Sequence, residues 1–174
     1  GLHYDNQDPH ILEGLAYIAN KKGDYATAQQ LYSQVAERTI NQYNIDQYTD
    51  KYAAQKSLND YTRATTGLAN SALKNGDFQT SESVTDTLIK QGLANADTYK
   101  VKALNQYVTG NIKGFSEAMS QYATEKADEE FAARQSQGIK DKNGVPLAGE
   151  YQPTEEQEAL SKNAESLKSF VDVY

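Results

Sequence analysis

His3 and His10 are the only imidazoles in the chain, and both stand near its start. Imidazole titrates near neutral pH, which suits it to proton transfer and to metal ligation. Asp5 and Asp8 lie beside them, so this stretch gathers ligand types. Its spacing matches no HExxH or comparable motif, and solvated surface histidines are the expectation. The chain has no cysteine, which removes thiolate zinc sites, thiol nucleophiles and disulfides together. No GxSxG, GxGxxG or phosphate-binding loop is present. The stretch Asp141-Lys142-Asn143-Gly144 with Glu150 echoes a calcium loop. Ile139, however, stands where the first ligand is needed, and Leu147 replaces another polar position. About six to eight oxygens are not supplied, and an ordinary turn is expected there. The acidic runs 128–130 and 155–158 are solvated helix ends. The residues therefore point to no catalytic site, no metal and no cofactor, and the chain is expected not to be an enzyme.

What remains is recognition chemistry: 13 tyrosines among many Asn, Gln, Ser and Thr. Tyrosine gives rigid amphipathic contact area, and amides donate and accept together. The 174 residues suit one domain or a short repeat array. A mean hydropathy of -0.78 marks a polar chain. The content of Leu, Ala and Tyr is nevertheless too high for disorder throughout. No apolar run approaches the roughly 18–20 residues that span a bilayer, so no membrane-spanning segment is expected. A net charge of -7 argues against non-specific nucleic-acid binding, which depends on Lys and Arg neutralising phosphates. The neutral polar composition favours an extracytoplasmic bacterial setting over a cytoplasmic one. The start at Gly1 leaves room for a removed signal, a missing anchor segment or a cloning scar.

The elements that would position these side chains announce themselves as a repeat. Gly23-Asp24-Tyr25, Gly76-Asp77-Phe78 and Gly110-Asn111-Ile112 each close one apolar helical stretch and open another. The second and third lie 34 residues apart and the first and second 53, which leaves 19 extra residues between them. Glycine ends a helix in the left-handed region at little cost, and the Asp or Asn after it caps the next helix. Small residues (Ala16, Ala28, Ala69, Ala103) let paired helices approach closely.

The spacing predicts a tail over 1–7, then helical hairpins over 8–45, 50–91 and 95–135. Helices are expected from Pro9 to about Lys22, Asp24 to about Tyr43, Asp50 to about Asn75, Phe78 to Gln91, Ala96 to Thr109 and Ile112 to about Gln135. The extra residues lengthen the second and third of these, the third to about 37 Å at roughly 1.5 Å per residue. Its apolar stripe has one gap, at Thr65. Residues 136–152 read as a loop or short β-hairpin turning at Asn143-Gly144. Residues 153–174 read as a capping helix, with Leu160, Ala164, Leu167, Val171 and Tyr174 on one stripe. Residues 8–174 are expected to form a single all-α domain.

These residues resemble the tetratricopeptide repeat (TPR) family over roughly 9–122, best from Leu12 to Val35. Ser81 and Thr85, and later Lys102 and Phe115, depart from the family's usual types, and Ile40 and Leu93 stand where its proline would be. The resemblance implies antiparallel helical hairpins in a right-handed superhelix, with the first helix of each pair lining a concave groove. It implies that Tyr25, Tyr32, Tyr61 and Tyr99 fill helix seams. On the groove it places His10, Glu13, Tyr17, Asn20 and Lys21, then Arg63, Thr66, Asn70 and Lys74, then Asp97, Lys100, Leu104 and Tyr107. The peptide-binding candidates are Tyr17, Asn20, Lys21, Arg63, Asn70, Lys74, Lys100 and Tyr107, on a face more basic than the chain. Glu13 and Tyr17 occupy positions where some members grip a C-terminal carboxylate, so that clamp is not expected in the same form. The implied function is a non-enzymatic interaction module for a peptide or protein segment, within a larger bacterial envelope or surface protein. The alternative is a self-association or carbohydrate-binding domain that uses Tyr43, Tyr48 and Tyr52 on the lengthened helices. The oligomeric state is left open.

Overall fold

The computed structural model describes residues 8–136. The expected tail, the 136–152 hairpin beyond residue 136, the calcium-like stretch and the capping helix lie outside the described residues. Among those described there are six helices and no strand. They are α1 Pro9–Lys21, α2 Tyr25–Asp46, α3 Lys51–Lys74, α4 Phe78–Lys90, α5 Ala96–Val108 and α6 Ile112–Ser136. The ends fall within about one residue of expectation except that α2 runs on to Asp46. The reason is local: Gln42 bonds Asp46 through its amide, and the turn closes only when Asp50 N–H reaches the Asp46 carbonyl at 2.8 Å. Helices α2 and α3 are 22 and 24 residues long against 13 in α1, α4 and α5, so the extra residues lie in these two.

Three turns share one geometry. Gly23, Gly76 and Gly110 have φ of 82°, 81° and 83°. Each donates its N–H to the carbonyl three residues back, at 3.1–3.2 Å. The next residue donates five residues back, at 2.8–2.9 Å. That is a glycine-terminated helix end in which both orphan carbonyls are used. The residue after glycine then caps the following helix: Asp24 accepts from Thr27 N–H, Asp77 from Thr80 N–H and Asn111 from Gly114 N–H. The turns join α1 to α2, α3 to α4 and α5 to α6, so the helices pack as adjacent antiparallel pairs.

The chain divides into two compact units, Gly1–Ala94 and Asn95–Tyr174. In the first, Leu12, Ala16, Ala28, Leu31, Tyr32, Val35, Ala36, Tyr61, Ala64 and Leu88 form the core. Much of the remaining interior is Ser and Thr. Thr65, expected as a gap in the α3 stripe, is buried, and so are Thr62, Thr66, Ser71, Ser81 and Thr85. Helical threonines can bond the carbonyl four residues back and so carry a hydroxyl into the interior. Thr39 does this on Val35, Thr62 on Leu58 and Thr85 on Ser81, at 2.8–3.1 Å. A polar chain thus buries small side chains at close helix spacing rather than large apolar ones. In the second unit Ala96, Val101, Ala103, Ala118 and Ala123 are buried with Thr98, Asn105, Gln106 and Ser116. The N-terminus of α5 is held by an Asn95–Thr98 capping box and by Glu129, which accepts from Ala96 N–H at 2.9 Å.

Candidate functional site

In the first unit α1 and α3 lie side by side and run the same way, because their side chains meet in rising register. His10 Nε2 is 4.0 Å from Asp60, Glu13 meets Arg63, and Asn20 Oδ1 accepts from Ser71 at 3.4 Å. These first helices of successive pairs carry the groove residues Tyr17, Asn20, Lys21, Arg63, Asn70 and Lys74.

The two ends of the strip differ chemically. At one end the Nε and Nη2 donors of Arg63 are engaged by the protein itself. Its Nε donates to Glu13 Oε1, and its Nη2 donates to Glu13 Oε2 at 2.9 Å and to Asp60 Oδ1 at 3.0 Å. Those two carboxylates raise its pKa further and keep the guanidinium charged. Arg63, expected on the groove, also braces α1 against α3 through Glu13. At the other end Lys21 and Lys74 are exposed in the last turns of α1 and α3, where a cation complements the helix dipole. The Lys21 ammonium stands 5.3 Å above the Tyr17 ring, and Lys74 stands 5.8 Å above Tyr25. Tyr17 is 56% exposed, while Asn20 and Asn70 are half-buried. Thr66 is buried rather than groove-facing.

Gly67 on α3 is a packing residue the sequence reading passed over. Gly67 has no side chain because the Tyr32 ring occupies that place: a Cβ there would lie 2.7 Å from it. Burial raises the Tyr32 phenol pKa, and Glu13 and then Tyr17 add to the shift, so its hydroxyl sits close to the strip. Nothing in the sequence marks this contact, because Gly67 and Tyr32 stand 35 residues apart on different helices. The seam tyrosines divide: Tyr32 and Tyr61 are buried, and Tyr25 and Tyr99 are half-buried. Tyr61 donates its hydroxyl to Gln91 Oε1 at 3.1 Å.

In the second unit Lys100, Leu104 and Tyr107 are exposed on α5. Tyr107 also leans on Phe115, with ring centroids 5.5 Å apart and planes at 56°. Burial raises the Tyr99 phenol pKa, with Glu125 adding to it.

Other surfaces remain in the first unit. A groove of about 560 Å³ lies where α2 and α3 outrun α1, lined by His10, Arg38, Ile45, Asp46, Lys56 and Asp60 among others. A second of about 680 Å³ is lined mostly by Gln29, Gln30, Ser33, Gln34, Asn75 and Asp77. At the tip of the α2–α3 pair Tyr48 and Tyr52 are each 84% exposed, whereas Tyr43 is half-buried. His10 is exposed. Among the described residues no three His, Asp or Glu gather as a metal group would require. Nor is any described helix long and apolar enough to cross a membrane. Compared with models of known protein families, with curated proteins and with solved structures, the chain matches none of them.

Proposed function

We propose that the chain is a TPR-like interaction module, and that the α1–α3 strip of its first unit receives an extended protein segment bearing a carboxylate. One observation carries the reading: exposed Lys21 and Lys74 and half-buried Asn20 and Asn70 share the α1–α3 strip with exposed Tyr17. A net charge of -7 repels acidic partners in general, so a local pair of exposed lysines gives such a partner one favoured place. Asparagine amides hold a peptide backbone through a paired donor and acceptor, and the Tyr17 ring covers an apolar side chain. The Glu13–Arg63–Asp60 cluster bounds the site at its far end. Lys100 and Tyr107 offer the same chemistry on α5 of the second unit. The right-handed superhelix belongs to this reading.

Random-peptide display against the whole chain tests it. Peptides with an acidic end group should be enriched. Their binding should weaken about tenfold or more with Lys21→Ala plus Lys74→Ala, and also with Tyr17→Ala, and should fall with added salt. Binding that survives all three substitutions would remove the strip from consideration. The exposure of Tyr48 and Tyr52 favours a second reading, in which the α2–α3 tip meets a glycan or another chain. Retained binding that is lost on Tyr48→Ala plus Tyr52→Ala would select it.

A further inference from the structure

The second groove of the first unit differs in kind from the α1–α3 strip. It encloses about 680 Å³ and is built from α2, α3 and the start of α4. That volume falls within the roughly 300–1,000 Å³ of small-molecule sites. Among the described residues that line it there is no Lys, Arg or His, and one carboxylate, Asp77. Along α2 the lining recurs at three- and four-residue steps, Ala26, then Gln29 and Gln30, then Ser33 and Gln34. Amides and a hydroxyl therefore share one helix face. Ala26 and Leu68 give the lining an apolar part.

Part of this lining is already fixed. Gln29 donates its amide to Asp77 Oδ2 at 3.0 Å and accepts from Asn75 Nδ2 at 3.4 Å. Asp77 Oδ1 accepts from Thr80 N–H at 3.2 Å. These bonds hold the Gln29 amide and the Asp77 carboxylate in place without a ligand. Gln34 is the opposite case. Its Oε1 is shut off from solvent and accepts from no donor among the described residues. A buried acceptor without a donor costs stability, and a donor brought by a ligand recovers it.

We infer that this groove binds a neutral saccharide. Sugar hydroxyls donate and accept together, which matches amides that do both and a carboxylate that takes paired donors. One such hydroxyl supplies the donor that Gln34 Oε1 lacks. The C–H face of a sugar ring has Leu68 and Ala26 to cover it. The other small ligands fit less well. An anion meets Asp77 and no cation in the lining. A cation finds one carboxylate, already bonded by Gln29 and Thr80. A wholly apolar molecule strips water from Gln29, Asn75 and Asp77 and returns no hydrogen bond. No aromatic ring is among the lining residues, so a dissociation constant in the millimolar range is expected. The site shares no residue with the α1–α3 strip and does not depend on it.

Side-chain amide signals in nitrogen–proton correlation NMR of the whole chain read the binding. The probes are maltose, cellobiose, lactose and N,N′-diacetylchitobiose, each titrated to about 50 mM, with glycerol and tetraglycine as controls. At least one saccharide should shift the Gln29, Gln30, Gln34 and Asn75 amides saturably. Ser33→Arg, at an exposed position, places a long side chain in the groove. It should weaken binding tenfold or more and leave the melting temperature unchanged. Gln34→Leu removes the unmatched acceptor at similar size. It should weaken binding tenfold and raise the melting temperature, whereas a glutamine that only packs would leave binding as it was. No saturable shift with any of the saccharides would overturn the inference. So would equal shifts with glycerol. Larger shifts with tetraglycine would overturn it too, and would give the groove to a polypeptide backbone. Saccharide binding that survives both Ser33→Arg and Gln34→Leu would overturn the placement, and its loss on Tyr48→Ala plus Tyr52→Ala would move it to the α2–α3 tip.

Discussion

Two residues decide how closely α2 and α3 fit together: Gly67 and Tyr32. The ring of Tyr32 lies where any Cβ at position 67 would be, with its nearest atom at 2.7 Å. Rings in a packed interior yield only by shifting their neighbours. Gly67→Ala is therefore expected to destabilise the protein by about 1–3 kcal/mol in urea unfolding, despite alanine's better helix propensity. Gly14→Ala, with open space around it, should move stability the other way, so the pair separates packing from propensity. Arg63 makes a related point. It belongs to the groove face by position, but Glu13 and Asp60 already occupy its donors. Arg63→Ala should cost stability modestly, because exposed ion pairs are each worth about 1 kcal/mol or less. It should change peptide affinity less than Lys74→Ala does, which titration calorimetry would measure.

The helices owe their ends to side chains that can be read off one by one. Asp50 accepts from both Tyr52 and Ala53 N–H and starts α3, so Asp50→Ala should cost roughly 1 kcal/mol, visible as a lowered urea midpoint. Asp77 caps α4 and also accepts from Gln29 Nε2 at 3.0 Å, which ties the start of α4 to α2. The Thr80 and Gln29 hydrogen bonds lower its pKa. A carboxylate lowered in the folded state stabilises above its ordinary pKa, and that share is lost as the pH falls through the lowered value. Asp77→Asn, which keeps a capping oxygen, should thus lose a little stability at neutral pH, flatten the acid limb of the stability profile and match the wild type once the carboxyl is protonated. A profile that keeps its slope would show that the carboxylate contributes nothing beyond its shape.

At the scale of the molecule an excess of acid meets a core of small residues. Glu125 shows the cost of the acid: burial raises its pKa, and Asp128 and Glu129 add to the shift. A carboxyl raised in the folded state favours folding when protonated, and this advantage is lost as the pH rises through the raised value. Glu125→Gln should therefore raise the melting temperature at neutral pH, and the gain should vanish below the ordinary glutamate pKa. The large apolar residues of the core are few, and Leu12 and Leu88 are fully buried. Either one changed to Ala should cost about 2–5 kcal/mol, more than any surface change named here.

The sequence by itself determined where the helices start and stop, which turns are tight and that α2 and α3 are long. Those outcomes depend on neighbours within a few residues: a glycine free to take positive φ, an Asp or Asn three residues from an N–H, an apolar period. The resemblance to the tetratricopeptide repeats placed Tyr17, Lys21, Lys74 and Tyr107 on the first helices of the pairs, and all four are exposed. Only the tertiary structure decided that Thr65 is interior, that Arg63 is spent on Glu13 and Asp60, and that Gly67 makes room for Tyr32. Arg63 and Glu13 stand 50 residues apart and Gly67 and Tyr32 stand 35 apart, and residue type does not encode which distant side chain will arrive. Gly14 shows the same division from the other side. Its place in α1 is plain in the sequence, but that no described residue comes within 4 Å of a Cβ there became visible only once the helices were packed.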